Sequence, residues 1–300
     1  MTATYGSPRA FRAALTDHLK QRSRTSDLTF QQLTRRFVTE RFLARVFHDP
    51  EDGCWVLKGG AALLFRLPKA RYSKDLDLHS AQGLESGLQR LRAAAALTGL
   101  DHLTFSVGEP TAIAGAFVGV EVTVTAYLGA AAFDRFPIDL STGLHPPAAD
   151  IVPTTALLSI ADVSAPPPNR LFPLPAQIAE KVCAMYETHG ETQLPSSRYR
   201  DLMDPVLIVQ SMSFPAQLTQ QALRDESARR GLSLPLELRV PHQIWLSSYQ
   251  QFARSTRMLE SSLHPIAASL VYVGRALNPL LSTDFTGQGV WDPAELRWRA

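Results

Sequence analysis

Val118, Val120, Val122 and Val124 alternate with Gly119, Glu121, Thr123 and Thr125. A period of two held over eight residues is the pattern of a strand with one buried and one polar face, and no helix satisfies it. A half-buried strand needs neighbours, so this chain must build a sheet. The surrounding sequence supplies them: residues 54–57, 71–79, 102–107 and 135–141 read as further strands, and 61–67 and 84–96 as helices between them. Phe11, Leu15 and Leu19 recur at four-residue spacing, and residues 28–47 continue the habit, so the first fifty residues are expected to be helical. Residues 143–175 then hold eight of the 21 prolines and read as a linker or an irregular crossover. Beyond them the signals are helical, at 176–188, 205–212, 215–230, 241–254 and 264–276. The expectation is an α/β lobe over residues 1–165 and a helical lobe over 166–300, with a cleft between them.

Composition removes several classes. The chain of 300 residues is 45% hydrophobic and 19% charged, too apolar for wholesale disorder. A net charge of +2 points to no partner class. No uncharged apolar run approaches the ~18 residues of a membrane span, and the polar N-terminus lacks a signal-peptide core. The two cysteines, Cys54 and Cys183, and eight scattered histidines offer neither a disulfide framework nor a zinc site. A cytosolic, reduced, monomeric protein is expected, since no heptad seam is present. The first fifty residues carry nine Lys/Arg against four Asp/Glu, which reads as a solvated helix face before it reads as a phosphate-contacting one.

The chemistry concentrates in Val56-Leu57-Lys58-Gly59-Gly60 and Ser73-Lys74-Asp75-Leu76-Asp77-Leu78. A Gly-Gly pair between strand and helix lets backbone N–H groups approach a phosphate. Asp75 and Asp77, two apart on a strand, project from one face, while Leu76 and Leu78 turn to the core. Two carboxylates beside a phosphate cradle suit Mg²⁺, which takes carboxylates together with substrate phosphates. Gly-Gly alone is usually a turn and Asp-x-Asp alone a solvated strand end; the combination in this order is far more specific.

These two blocks resemble the signature of AbiEii/AbiGii-type toxins, and within them most the MenT toxins of mycobacteria, members of the nucleotidyltransferase superfamily related in fold to DNA polymerase β. Ala61 stands where the family usually has Thr, and Lys74 where Glu is common; neither departure touches a carboxylate. Gln177 to Ala184 resembles the family helix bearing a functional lysine, here Lys181. Arg198-Tyr199-Arg200-Asp201-Leu202-Met203-Asp204 resembles a later Arg-x-Lys-Asp-x-x-Asp block, with Arg200 in place of Lys. Arg230 and Trp245 fit the C-terminal pattern loosely. The resemblance implies a nucleotidyltransferase fold with a mixed sheet, flanking helices and a C-terminal helical lobe. It implies Mg²⁺ on Asp75, Asp77 and a third carboxylate, for which Asp139 is preferred over Glu121. It places Lys58, Gly59, Gly60, Ser73 and Arg198 against nucleotide, Lys181 on the triphosphate, and Asp201 as a catalytic residue orienting Lys181 or a substrate hydroxyl. Asp204, followed by Pro205, reads as a helix N-cap. Ser73 is also a candidate control point, since a phosphate there would bring negative charge to the metal site.

The function implied is that of a toxin with a cognate antitoxin, an EC 2.7.7-class enzyme transferring NMP from CTP or UTP to the 3′ end of tRNA and so blocking aminoacylation. Arg35, Arg36, Arg41, Arg45, Arg229, Arg230, Arg254 and Arg257 are candidates for phosphate contacts at the acceptor stem. Two alternatives stand beside this: transfer to a protein hydroxyl, and a catalytically inactive RNA- or partner-binding module.

Overall fold

Val120, Val122 and Val124 lie in the strand Gly119–Leu128, buried at every second position, while Val118 lies outside the described residues. The computed structural model describes residues 5–67, 73–113, 119–143, 148–190, 194–256, 259–282, 285 and 287–300. The chain divides into two units, Met1–Arg66 with Tyr72–Phe172, and Leu67–Arg71 with Pro173–Ala300.

In the first unit the order is α1 (Pro8–Arg24), α2 (Phe30–Val46), β1 (Trp55–Lys58), α3 (Gly59–Arg66), β2 (Leu76–Ser80), α4 (Leu84–Ala95), β3 (Leu103–Val107), β4 (Thr111–Ala112), β5 (Gly119–Leu128), β6 (Ala131–Ser141), β7 (Asp150–Val152) and β8 (Asn169–Leu171). Among the described residues these strands form one mixed sheet ordered β3-β5-β6-β2-β1-β8-β7, with β4 beside β5. β2 runs parallel to β6 and β1 parallel to β8, and the remaining pairs are antiparallel. Leu57, Leu76, Leu78, Val122, Ile138 and Leu140 are buried beneath the sheet with Phe37 and Phe42 of α2 and Leu91 of α4. Each such side chain contributes about 1.5–3 kcal/mol relative to exposure. Because side chains alternate, the positions between them share the opposite face.

Both N-terminal helices begin on sequence-coded caps. Ser7 accepts a hydrogen bond from the Ala10 N–H ahead of Pro8, and Thr29 and Gln32 form a reciprocal capping box. Farther along α2, Arg41 and Arg45 are buried in ion pairs with Asp101, at 2.7 and 2.9 Å. Burial works against the Asp101 charge, but Arg45 and Arg41 outweigh it and hold its carboxyl below the usual range.

The proline-rich stretch is not simply a linker. It holds β7 and β8, and β8 joins the sheet beside β1 through Leu57 and Leu171. Three-residue strands are too short to show a period, which is why the sequence conceals them. The strand expected over 71–79 starts at Leu76, so Asp75 sits in the bend before it; residues 71 and 72 lie outside the described residues.

The second unit is helical: α5 (Leu174–Tyr186), α6 (Met203–Ser211), α7 (Ala216–Arg229), α8 (Ile244–Ser255) and α9 (Ile266–Leu281), closed by a hairpin of Val290–Asp292 and Arg297–Arg299. α5 packs on α7 and on a single 3-10 turn, Tyr199–Leu202, that leads into α6. Its tryptophans are anchors: Trp245 donates to the Ser196 carbonyl at 2.7 Å and Trp291 to that of Val209 at 2.8 Å. Among the described residues no helix is long and apolar enough to cross a membrane.

Candidate active site

Strand register assembles the site in the first unit. Lys58 on β1 is the partner of Asp77 on β2, Asp77 of Asp139 on β6, and Asp139 of Glu121 on β5. Four charged side chains thus form one row across four adjacent strands, on the face opposite the buried Leu57, Leu78, Leu140 and Val120. Asp77 and Asp139 are half-buried and Glu121 is exposed. Sequence reading set Asp139 and Glu121 as competitors for one role; register makes them neighbours in the same row.

Asp75 stands at the mouth of β2, where its Oδ1 accepts a hydrogen bond from the Ser73 hydroxyl at 2.9 Å. Burial, then the nearby charges of Asp75 and Glu121, push the Asp139 carboxyl upward. Crowded like charges of this kind favour a proton or a cation between them.

Gly59 is tied to the same row. Its φ is +61°, and a Cβ built on it would lie 1.8 Å from Oδ2 of Asp77. The glycine therefore serves two ends that no other residue meets: a left-handed backbone, and room for the Asp77 carboxylate against the start of α3. The sequence reading assigned Gly59 and Gly60 to phosphate; the contact with Asp77 is a reason it did not contain. Gly60 is buried as the second residue of α3. Lys58 is 8% exposed, its ammonium 4.5 Å from the centroid of the Phe172 ring.

The oxygen donors of the row suit a hard cation. Among the described residues no three His, Cys, Asp or Glu groups close into a ready-made metal cluster. Mg²⁺ does not need one, since it keeps waters and takes one or two carboxylates plus substrate phosphates. Asp77 and Asp139, with Asp75 beside them, fit a cation that arrives with its nucleotide.

The second unit holds a different cluster. Lys181 on α5 is buried, its Nζ 3.0 Å from Oδ1 of Asp201 and 3.1 Å from Oδ2 of Asp204. Arg198, with its side chain half exposed, closes the group at 2.7 Å from the other Asp201 oxygen. The cap reading of Asp204 is corrected here. The N-cap of α6 is Leu202, and Asp204 is fully buried inside the first turn, facing Lys181. The three-residue spacing of Asp201 and Asp204, which puts both on one helical side, was the available signal. Arg200 lies over the rings of Tyr199 and Phe252, at 5.8 and 5.5 Å.

The arginines considered for phosphate contacts divide sharply. Arg41 and Arg45 are sealed on Asp101 and Arg230 on Glu187 and Glu226, while Arg229 pairs at the surface with Glu226 and Arg35 pairs with Asp134. Arg254 is exposed and Arg36 half-buried, while Arg257 lies outside the described residues. Most of the basic character of α2 is structural, because a guanidinium can bury only with its carboxylate. Trp245 and Arg230 are likewise packing residues.

Residues 41–271 match the family described as nucleotidyl transferase AbiEii toxin, of type IV toxin–antitoxin systems. No curated protein matches the chain. Among solved structures, JHP933 from Helicobacter pylori is 15% identical with a TM-score of 0.48, covering 85% of this chain and 95% of its own. The nucleotidyltransferase toxin MenT4 from Mycobacterium tuberculosis is 15% identical with a TM-score of 0.48, covering 69% and 68%. A second H. pylori chain, described as a nucleotidyltransferase, is 14% identical with a TM-score of 0.46, covering 85% and 97%. Such distant likenesses assign no residue a role. Family membership carries an NTP substrate, a divalent metal and a cognate antitoxin as general properties. With the match spanning well over half of its length, the chain belongs to the AbiEii family of nucleotidyltransferase toxins.

Proposed function

We propose that this toxin transfers NMP from a pyrimidine NTP, CTP or UTP, to the 3′ end of tRNA in the cytoplasm, and that it acts as a monomer. The observation that carries the reading is the row of Asp77, Asp139 and Glu121 in register, with Asp75 at its mouth. The tRNA acceptor and the pyrimidine preference rest on the resemblance of the Lys58–Gly60 and Ser73–Leu78 blocks to MenT toxins.

In this reading a bond forms between an acceptor hydroxyl oxygen and the α-phosphorus, and the bond to the β-phosphate breaks to release pyrophosphate. Asp75, Asp77 and Asp139 would hold Mg²⁺, which supplies charge neutralisation at the phosphates when bound. The chain's own residues orient the reactants. Gly59 fixes the Asp77 carboxylate, Ser73 steadies Asp75, and Lys58 and Gly60 line the start of α3 on the nucleotide side. The resemblance gives Lys181 the role of a point charge for the triphosphate, with Arg198 assisting; within the second unit Asp201 and Asp204 hold Lys181 in place. Catalysis of this kind is mostly positioning and electrostatics. A blocked tRNA end can no longer be aminoacylated, so translation stops.

The test is incubation of the purified protein with Mg²⁺, total RNA and each labelled NTP in turn, beside an Asp75→Ala control. Label on RNA of tRNA size from CTP or UTP, absent in the control, is the expected outcome. Label on protein would replace tRNA by a protein hydroxyl as acceptor. No label from a folded sample would overturn transfer altogether.

A further inference from the structure

The first unit contains a cavity of about 660 Å³ beside the carboxylate row. Among the described residues its lining includes Phe30, Gln31 and Arg35 of α2, Phe133 and Asp134 at the start of β6, and Lys74. Of the candidate residues named above its lining includes Arg35, but none of the carboxylates of the row and none of the Lys58–Gly60 loop. The volume is within the range of about 300–1,000 Å³ typical of small-ligand sites.

The lining combines two aromatic rings, a fixed guanidinium, an amide and an exposed ammonium. Phe30 and Phe133 are half-buried, so each packs on the core and keeps part of its surface outward. The Arg35 fork is bound bidentate by Asp134, Nε to Oδ2 at 2.5 Å and Nη2 to Oδ1 at 2.8 Å. That pairing neutralises the charge and locks the plane, which leaves Arg35 a flat stacking surface rather than a phosphate ligand. Lys74 is exposed and carries no carboxylate partner of this kind among its described contacts. The helix end itself is already used, since the capping box of Thr29 and Gln32 takes up the first donors of α2. Recognition here belongs to side chains.

Aromatic and guanidinium planes for a base, an amide for its edge and an ammonium for its phosphate are what an unstacked nucleotide of a single strand requires. The position suits an acceptor. Arg35 Nη1 donates to the Lys74 carbonyl at 3.4 Å, and Lys74 is one residue, about 3.8 Å of backbone, from Asp75. We propose that this cavity binds a nucleotide of the single-stranded end of the RNA acceptor, behind the reacting terminus. It rests on the RNA-acceptor reading above, and assigns that acceptor its place on the first unit.

The test measures binding apart from turnover. A fluorescent single-stranded RNA hexamer is titrated with the full-length protein, its affinity read by anisotropy, and NTP affinity is measured in parallel with Mg²⁺. Lys74→Glu is expected to weaken hexamer binding about tenfold or more and Phe133→Leu about fivefold or more, with NTP affinity changed less than twofold. Gln31→Glu, on the exposed surface, guards against a folding defect in the Phe133 variant and is expected to lose at least threefold. If wild type binds and labels RNA but all three variants match it, the cavity assignment alone is overturned. Equal losses in NTP affinity would also overturn it, by making the cavity part of the nucleotide site. If wild type neither binds the hexamer nor labels RNA, the acceptor reading falls and this inference falls with it.

Discussion

The two charged clusters of this molecule are built on opposite principles. In the first unit, Asp77, Asp139 and Glu121 stand side by side across a sheet, and burial, then the charges of Asp75 and Glu121, push Asp139 up. In the second, Lys181, Arg198, Asp201 and Asp204 balance two positive charges against two negative ones, largely out of water. The first cluster sets the row's three carboxylates, with Asp75 beside them, against the ammonium of Lys58, so carboxylates outnumber it and the cluster gains from an added cation. The second is complete, and each member depends on the others. Removing a charge should therefore cost activity alone in the first, and stability as well as activity in the second.

The largest effect is expected at the row. Asp77→Asn should lower turnover at least about a thousandfold, since metal-borne charge stabilisation amounts to several kcal/mol. Its melting temperature should stay level, because the amide keeps the shape of the carboxylate. A clear drop would mean that the row is held together by contacts rather than strained by charge. Next comes Asp204→Ala, which leaves Lys181 buried with half of its compensation. Urea denaturation should register a loss of about 3–5 kcal/mol. Full stability would show that the cluster is not held together by its charges and would erase the contrast.

Gly59→Ala should fall between the two kinds of behaviour. The new Cβ displaces the Asp77 carboxylate, for a loss of about a hundredfold in turnover. The left-handed backbone adds about 1–2 kcal/mol of instability. Turnover above a tenth of wild type would show that the Asp77 position tolerates movement.

The smallest effect concerns Glu40, a buried carboxyl on α2 that accepts a hydrogen bond from the Leu157 N–H at 2.9 Å. Burial raises its pKa to about 7, against the lowering effects of that bond and of Arg41 and Arg36. A carboxyl raised on folding holds its proton in the native state while the unfolded chain has lost it. Stability from this group is therefore present at low pH and declines as pH rises from about 4.5 to about 7. Glu40→Gln should stabilise the protein at pH 8 by up to about 3 kcal/mol and leave it unchanged near pH 4. An equal effect at both values would mean that Glu40 does not titrate on unfolding.

Much of the fold was legible because the signals are short-range. The valine alternation marked β5, the four-residue spacing of Phe11, Leu15 and Leu19 marked α1, and Asp75-Leu76-Asp77 with Gly59-Gly60 drew attention to one end of β1 and β2. β7 and β8 escaped, since three residues each show no period. Asp204 was read as a cap because Asp-Pro is a strong local signal, and the buried lysine that claims it lies far away in sequence. The arginines of α2 were read first as a solvated helix face and second as a phosphate-contacting one; neither reading saw Arg41 and Arg45 buried on Asp101, whose carboxylate is likewise remote.

By itself, the sequence determined the kinds of element, the presence of a half-polar sheet and the residue types able to hold a metal and a nucleotide. Local sterics and hydrophobic periodicity set these, and both act within a few residues. Tertiary structure alone decided that Asp77, Asp139 and Glu121 share one row, that Gly59 makes room for Asp77, and that Lys181 is held between Asp201 and Asp204. Each of these depends on strand register or helix packing between segments distant along the chain. Electrostatic and steric contacts of that kind come into being only when the chain has folded.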